Sequence, residues 1–445
     1  MNELEYLAGC VYPPVDAAHS AALQRRCTAV LIDQASAVVR RAASRWSTEG
    51  APVEPSLGLQ VVAGLLALRE LSEDTRIAVV LHPTFRYWLQ AMRRTSRGDD
   101  PQHELEFGRA FASLLWTELV LNDRLSGDWT VWTDAEGGLR CPSRKRFLEF
   151  GPEWAERPVR VQVSGETVSF VLDDGETVEL STKALSCEPR EVDDLTAGSS
   201  VRIGVAPLVA GGRIEVCARE PWLRAAYTGT NQRTTGVTFF GTKDDLYIRE
   251  PVSEAYEESL VHLREIWPAQ YADLMVFTNV IVPMVQTGDM HRAFTVSSRQ
   301  GAMFVDLIDP EAMVENLIHE NAHIKLRQIQ LLDPLLIDPF NEDKRFTVPW
   351  RPDPRPLPGI FEGLWVFAHV AEYRYRRLLS CGTSEEQTKL TKLLGDLEGA
   401  QTILSTHAEM TDIGKLFLRQ MSEWILALSQ QVGGNRVTVG SQSGV

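Results

Sequence analysis

The chain has 445 residues, 44% hydrophobic and 24% charged, the profile of a water-soluble protein able to bury a sizeable core. A net charge of −15 argues against a nucleic-acid partner, because phosphate binding needs a basic face, but allows a local basic pocket for a small anion. No apolar run reaches the length of a membrane span, and the N-terminal Met-Asn-Glu-Leu-Glu is acidic where a signal peptide would be basic.

Six cysteines (Cys10, Cys27, Cys141, Cys187, Cys217 and Cys381) are scattered with no C-x-x-C pair, so neither a zinc ribbon nor a disulfide framework is expected. A reduced, cytoplasmic setting is the simplest expectation. No sequence feature sets an oligomeric state.

In chain order, residues 1–126 form a helical region, with helical apolar spacing over Ala17–Trp46, Leu57–Leu71, Phe85–Arg94 and Glu104–Leu125. Residues 127–251 are β-rich. Short alternating runs occur at Val159–Val163, Val168–Leu172 and Val178–Leu180, with a turn at Asp173-Asp174-Gly175, and continue at Val201–Val205 and Arg213–Val216. Residues 252–433 are helical again, and 434–445 form a polar, flexible tail after Gly433.

Within the third region, Glu254–Trp267 and Tyr271–Met284 read as helices, and Phe294–Leu307 as two strands joined at Gln300-Gly301. The expected fold is α+β, mainly helical with a β-rich middle segment. Its C-terminal half would carry a zincin-like metal-binding helix preceded by strands. A strand just before that helix would offer its edge to an extended peptide.

The helix in question contains His319-Glu320-Asn321-Ala322-His323. Residues four apart share a helix face, so His319 and His323 can present two imidazoles to one metal ion. Glu320 stands beside them as a non-ligand carboxylate. Asp309-Pro310 supplies an N-cap and a first-turn proline, and Met313, Leu317, Ile318, Ile324 and Leu326 make the segment apolar enough to be buried. The H-E-x-x-H pattern is a zinc site in metallopeptidases, and two histidines with a carboxylate are also the iron(II) ligands of non-haem oxygenases.

A third ligand is expected downstream. The proline-rich stretch 348–359 leads into a long amphipathic segment, Ile360–Leu379, carrying Glu362, His369 and Glu372. Glu362 follows His323 by 39 residues, room for a loop and a returning antiparallel helix. It is the favoured carboxylate ligand, with His369 as the alternative.

His319–His323, the segment Trp350–Gly359 with its W-R-x-D-P-R-P-L-x-G pattern, and Gly363–Phe367 resemble the H-E-x-x-H-motif modification proteins of actinobacterial peptide gene clusters. Leu81-His82-Pro83 with Tyr87-Trp88, Ile266-Trp267-Pro268 and Ile281-Val282-Pro283 agree with that resemblance across most of the chain. It implies an iron(II)- and 2-oxoglutarate-dependent peptide β-hydroxylase acting on a ribosomally made precursor peptide, often encoded beside radical-SAM maturases. Under that reading the distal carboxylate of 2-oxoglutarate wants a guanidinium. Arg355 and Arg351 are the candidates, with Arg299 third.

Glu320 separates the readings. In a zinc-dependent peptidase trimming such a peptide it would be the general base. In a hydroxylase it would orient a ligand or a water. In a non-catalytic peptide-binding protein that kept the fold, the motif would be structural.

Overall fold

The computed structural model describes residues 6–7, 9–11, 17–48, 55–97, 103–122, 127–172, 175–181, 201–224, 247–248, 251–286, 291–339, 344–351 and 353–439. The fold is mixed α and β, mostly helical, with several small sheets.

Five helices come first: α1 (Ala17–Trp46), α2 (Pro55–Leu68), α3 (Glu73–Val80), α4 (Pro83–Arg97) and α5 (Glu104–Leu121). Four match the expected segments. Helix α3 was not foreseen, because its eight residues lack a full apolar stripe. Its signal is local instead: the Ser72 hydroxyl accepts from Thr75 N, with Glu73 and Asp74 in the first turn. Helix α5 is buried along nearly its whole length and ties to α1 through Trp46 Nε1, which donates to Glu104 Oε1 at 2.7 Å.

The β-rich stretch builds two antiparallel sheets. In the first, β1 (Gly127–Trp132), β4 (Pro158–Ser164), β5 (Thr167–Val171) and β6 (Thr177–Ser181) lie in that order. Val159, Val161 and Val163 of β4 point inward and their neighbours outward, the period of two the sequence showed. The hairpin between β5 and β6 closes through Leu172 N donating to Glu176 O, with Gly175 at φ +86°. Asp173 and Asp174 of the expected turn lie outside the described residues. The second sheet has the order β2 (Gly138–Cys141), β3 (Arg146–Glu149), β7 (Arg202–Val205).

A third sheet matters most for the site. Its order is β11–β12–β10–β9–β8, with β8 Leu208–Val209, β9 Ile214–Val216, β10 Val280–Met284, β11 Ala293–Thr295 and β12 Ala302–Asp306. The one-turn helix α6 (Pro221–Arg224) follows β9. Helices α7 (Ser253–Ile266) and α8 (Pro268–Phe277) come before β10. Strands β9, β10 and β12 run parallel, while β8 and β11 close the two edges antiparallel. The sheet draws strands from both sides of residue 251, so that sequence boundary does not separate two sheets.

Strand β10 corrects the expectation of one helix over Tyr271–Met284. Helix α8 stops at Phe277, and the fully buried Val280–Met284 pairs with β12 and β9. A short continuous apolar run reads equally as a buried helix or a parallel strand, and only its neighbours decide. Pro283 is tolerated because β9 pairs only as far as Ile281. The pair β11 and β12 does form, and Gly301 before β12 adopts φ +100° in a spot where a Cβ would lie 2.7 Å from Asn279 Oδ1.

Helix α9 (Pro310–Ile329) follows. A small hairpin, β13 (Arg345–Phe346) with β14 (Arg355–Pro356), leads into α10 (Leu357–Cys381), α11 (Ser384–His407) and α12 (Asp412–Val439). Helix α12 continues through Gly433-Gly434 to Val439, so the tail expected from 434 is helical as far as Val439; residues 440–445 lie outside the described residues. One hydrophobic core joins α1, α5, the β sheets and α9–α12. No helix among the described residues is long and apolar enough to cross a membrane.

Candidate metal centre

Helix α9 starts as its sequence dictates. The Asp309 carboxylate accepts from Glu311 N and Ala312 N, and Pro310 occupies the first turn, where its missing N–H costs nothing. Met313, Val314, Leu317, Ile318 and Ile324 are buried, which fixes the helix rotation. His319 and His323 then share the remaining face, only partly exposed, between β11 and α10.

Their Nε2 atoms lie 3.2 Å apart. Two imidazole nitrogens each about 2.0–2.1 Å from one ion lie roughly 2.9–3.4 Å apart at octahedral to tetrahedral angles. The pair therefore fits a shared metal ion. Burial holds His319 well below the ordinary imidazole range, with His323 adding to the effect, so its ring is neutral and its lone pair is available.

Glu362, on the first turns of α10, reaches His323 from the opposite side. Its Oε1 is 2.9 Å from His323 Nδ1 and 2.9 Å from Arg327 Nη2. Burial alone would raise this carboxyl, but the His323 hydrogen bond and charge, with Arg327 beside them, bring it down to about 2. An ionised carboxylate only accepts, so His323 carries a proton on Nδ1, and its neutral form has the lone pair on Nε2. Burial opposes a charge on His323, yet the Glu362 hydrogen bond and charge outweigh it and raise its pKa. As arranged, Glu362 supports His323 from behind, as outer-shell carboxylates do for metal-bound histidines. That differs from the direct ligand expected from the sequence. Among the described residues, no group of three His, Cys, Asp or Glu side chains stands ready as a metal cage.

His369, the alternative ligand, is in the core. Its Nδ1 donates to the Trp365 carbonyl at 2.9 Å, and its ring meets Trp365 and Trp424 at centroid distances of 4.9 and 5.1 Å. Burial, with Lys325 nearby, takes it down to about 3. It lies near Glu362 in helical angle but two turns further along α10, among these indoles.

Glu320 is 2% exposed, with Oε1 4.0 Å from His319 Nε2. Its Oε2 is buried without a hydrogen bond. Burial lifts the carboxyl to about 7, against the lowering effects of His323 and a hydrogen bond with Thr295. Thr295 is the last residue of edge strand β11, which places the sheet edge beside the motif glutamate.

The proline-arginine loop covers the same face. Trp350 packs on Phe367 at 5.3 Å between centroids, and Phe367 meets the His319 ring at 5.2 Å. Arg351 is close enough for its charge to lower His319. Arg355 is anchored by Asp353 at 3.3 Å and feels both Arg351 and Glu362, while its Nη2 is buried without a hydrogen bond. Arg299 is occupied elsewhere. Its Nε and Nη2 donate to the Trp222 carbonyl at 3.2 and 2.8 Å, and it lies over Tyr87.

Three contributors were given no role at the site in the sequence reading. Arg327 sits four residues after His323, and that i,i+4 spacing was a usable signal. Phe367 and Thr295 reach the site only through tertiary packing, which no local pattern announces. The chain matches no family model and no curated protein. The resemblance read from its motifs rests on those motif residues alone.

Proposed function

We propose that the protein is a metal-dependent, peptide-modifying enzyme: an iron(II)- and 2-oxoglutarate-dependent β-hydroxylase of a ribosomally synthesised precursor peptide. The observation that supports the metal assignment is the 3.2 Å separation of the His319 and His323 Nε2 atoms on α9, which packs against edge strand β11. Iron(II) held there would supply, with 2-oxoglutarate as electron donor and dioxygen as oxidant, the chemistry that converts a substrate C–H to C–OH.

The chain's own groups have separate tasks. Glu362 fixes the tautomer and orientation of His323. Arg351 and Arg355 offer guanidinium groups near His319 and Glu362 to an anionic cosubstrate, and the unmet Arg355 Nη2 suits a carboxylate oxygen. Strand β11, at the edge of its sheet among the described residues, can pair with an extended peptide. Trp350 and Phe367 form an apolar wall that limits water around His319.

A zinc-dependent peptidase is the second reading, favoured by one observation. Glu320 offers a buried oxygen with no hydrogen bond beside His319, as a general base for water would.

Anaerobically purified protein, reconstituted with iron(II) and then given 2-oxoglutarate, dioxygen and the precursor peptide encoded beside its gene, should yield succinate, carbon dioxide and a peptide heavier by one oxygen atom. Cleavage without the cosubstrate rejects the hydroxylase and selects the peptidase. Glu320→Gln should abolish cleavage but only slow hydroxylation. Peptide binding by a protein that retains no stoichiometric metal points instead to a non-catalytic peptide-binding protein.

A further inference from the structure

A second cleft, sharing no lining residue with the histidine site, opens beside the β2–β3–β7 sheet. It encloses about 470 Å³, within the range of small-ligand sites. Asp134, Glu149, Glu153 and the buried Glu220 line it, along with Phe147 and Phe150. Arg202 and Arg219 also line it, but Arg219 already pairs with Glu149 at 2.6 Å.

Glu220 separates this cleft from an ordinary acidic surface. It is 2% exposed. Its Oε1 is satisfied by Thr84 Oγ1 at 3.0 Å and Trp222 Nε1 at 3.1 Å. Its Oε2 has no hydrogen bond; the facing cation, Arg140 Nε, is 3.6 Å away and also makes none.

Arg140 is committed elsewhere. It bonds Glu215 through Nη2, donates Nη1 to the Arg146 carbonyl at 3.1 Å, and lies over Phe147. His82 stands 3.4 Å from Glu215 but is kept neutral by burial, and Lys145 spends its ammonium on the Gly212 and Arg213 carbonyls at 2.6 Å. Glu215 and Glu220 thus share one close guanidinium, and Glu215 holds it. A buried carboxylate oxygen left without a hydrogen bond is costly. A cation entering from the cleft would remove that cost.

We propose that this cleft binds an organic cation, a guanidinium or ammonium on an aliphatic stem, anchored on Glu220 Oε2 beside the Phe147 and Phe150 rings. The volume suits a stem with a charged head better than a bare metal ion. The source is a free diamine-type molecule or a basic side chain of a bound peptide. The proposal does not depend on the metal chemistry at His319 and His323.

Isothermal titration of the full chain with agmatine, and separately with acetyl-Gly-Arg-Gly-amide, tests it, with acetyl-Gly-Gln-Gly-amide as the neutral control. One saturable site for at least one cation is expected, with none for the control. Preference for agmatine identifies a free cation, and preference for the peptide identifies a side chain. Glu220→Gln should weaken binding by about tenfold or more, and Glu362→Gln should leave it unchanged. If Glu220→Gln fails to fold, Glu153→Lys at the exposed rim must weaken binding instead. Absence of binding to both cations, or wild-type affinity in the folded variants of Glu220 and Glu153, overturns the proposal.

Discussion

Glu362 meets His323 on Nδ1, at 2.9 Å, while His323 turns Nε2 toward His319. The carboxylate would therefore act through the imidazole on an ion held by the two histidines. Removing such an outer-shell partner weakens metal binding about 10–100-fold. Metal titration under anaerobic conditions should show that loss for Glu362→Gln, whereas His323→Ala retains no stoichiometric metal. Complete metal loss in Glu362→Gln, equal to that of His323→Ala, would restore Glu362 as a direct ligand.

His369 should influence stability and leave metal content alone. Its pKa of about 3 in the folded chain lies below the ordinary imidazole value near 6.5, so the unfolded chain takes up the proton first as pH falls. The stability tied to its neutral form is complete above about pH 6.5. It declines on acidification toward 3, by on the order of 3 kcal/mol at pH 4. Urea denaturation from pH 7 to 4 should give a shallower loss for His369→Phe than for the wild type. Parallel curves would count against this account.

Within α9, just beyond His323, Lys325 Nζ pairs with Asp273 Oδ2 at 3.1 Å, both side chains at most 1% exposed. Breaking a pair buried this deeply strands a charge and costs about 3–5 kcal/mol. Lys325→Met alone should lose about that much in chemical denaturation, and the double variant Lys325→Met/Asp273→Leu should lose less. A double variant as unstable as the sum of the two singles would show that the residues are not coupled.

Gly363→Ala should destabilise, although alanine normally favours a helix by about 1 kcal/mol over glycine. A Cβ at this position would sit 2.9 Å from Trp350 Nε1, against a rigid indole held by Phe367. Overpacking of this kind costs about 1–3 kcal/mol. A lower melting temperature with altered Trp fluorescence is expected. A higher melting temperature would mean that the loop yields freely.

Several features of this protein are written into short stretches of chain. Asp309-Pro310 starts α9, the four-residue spacing puts His319 and His323 on one face, and the alternating valines of β4 set its buried side. These depend on caps and periodicities that span a few residues, so the linear order contains them. Tertiary structure decided the rest. It turned Val280–Met284 into a central strand because β9 and β12 lay ready to pair. It sent His369 among Trp365 and Trp424, brought Thr295 to Glu320, and set Glu362 against the far nitrogen of His323. Which nitrogen a carboxylate meets depends on how two helices cross, and that crossing is fixed by the packing of many distant side chains at once.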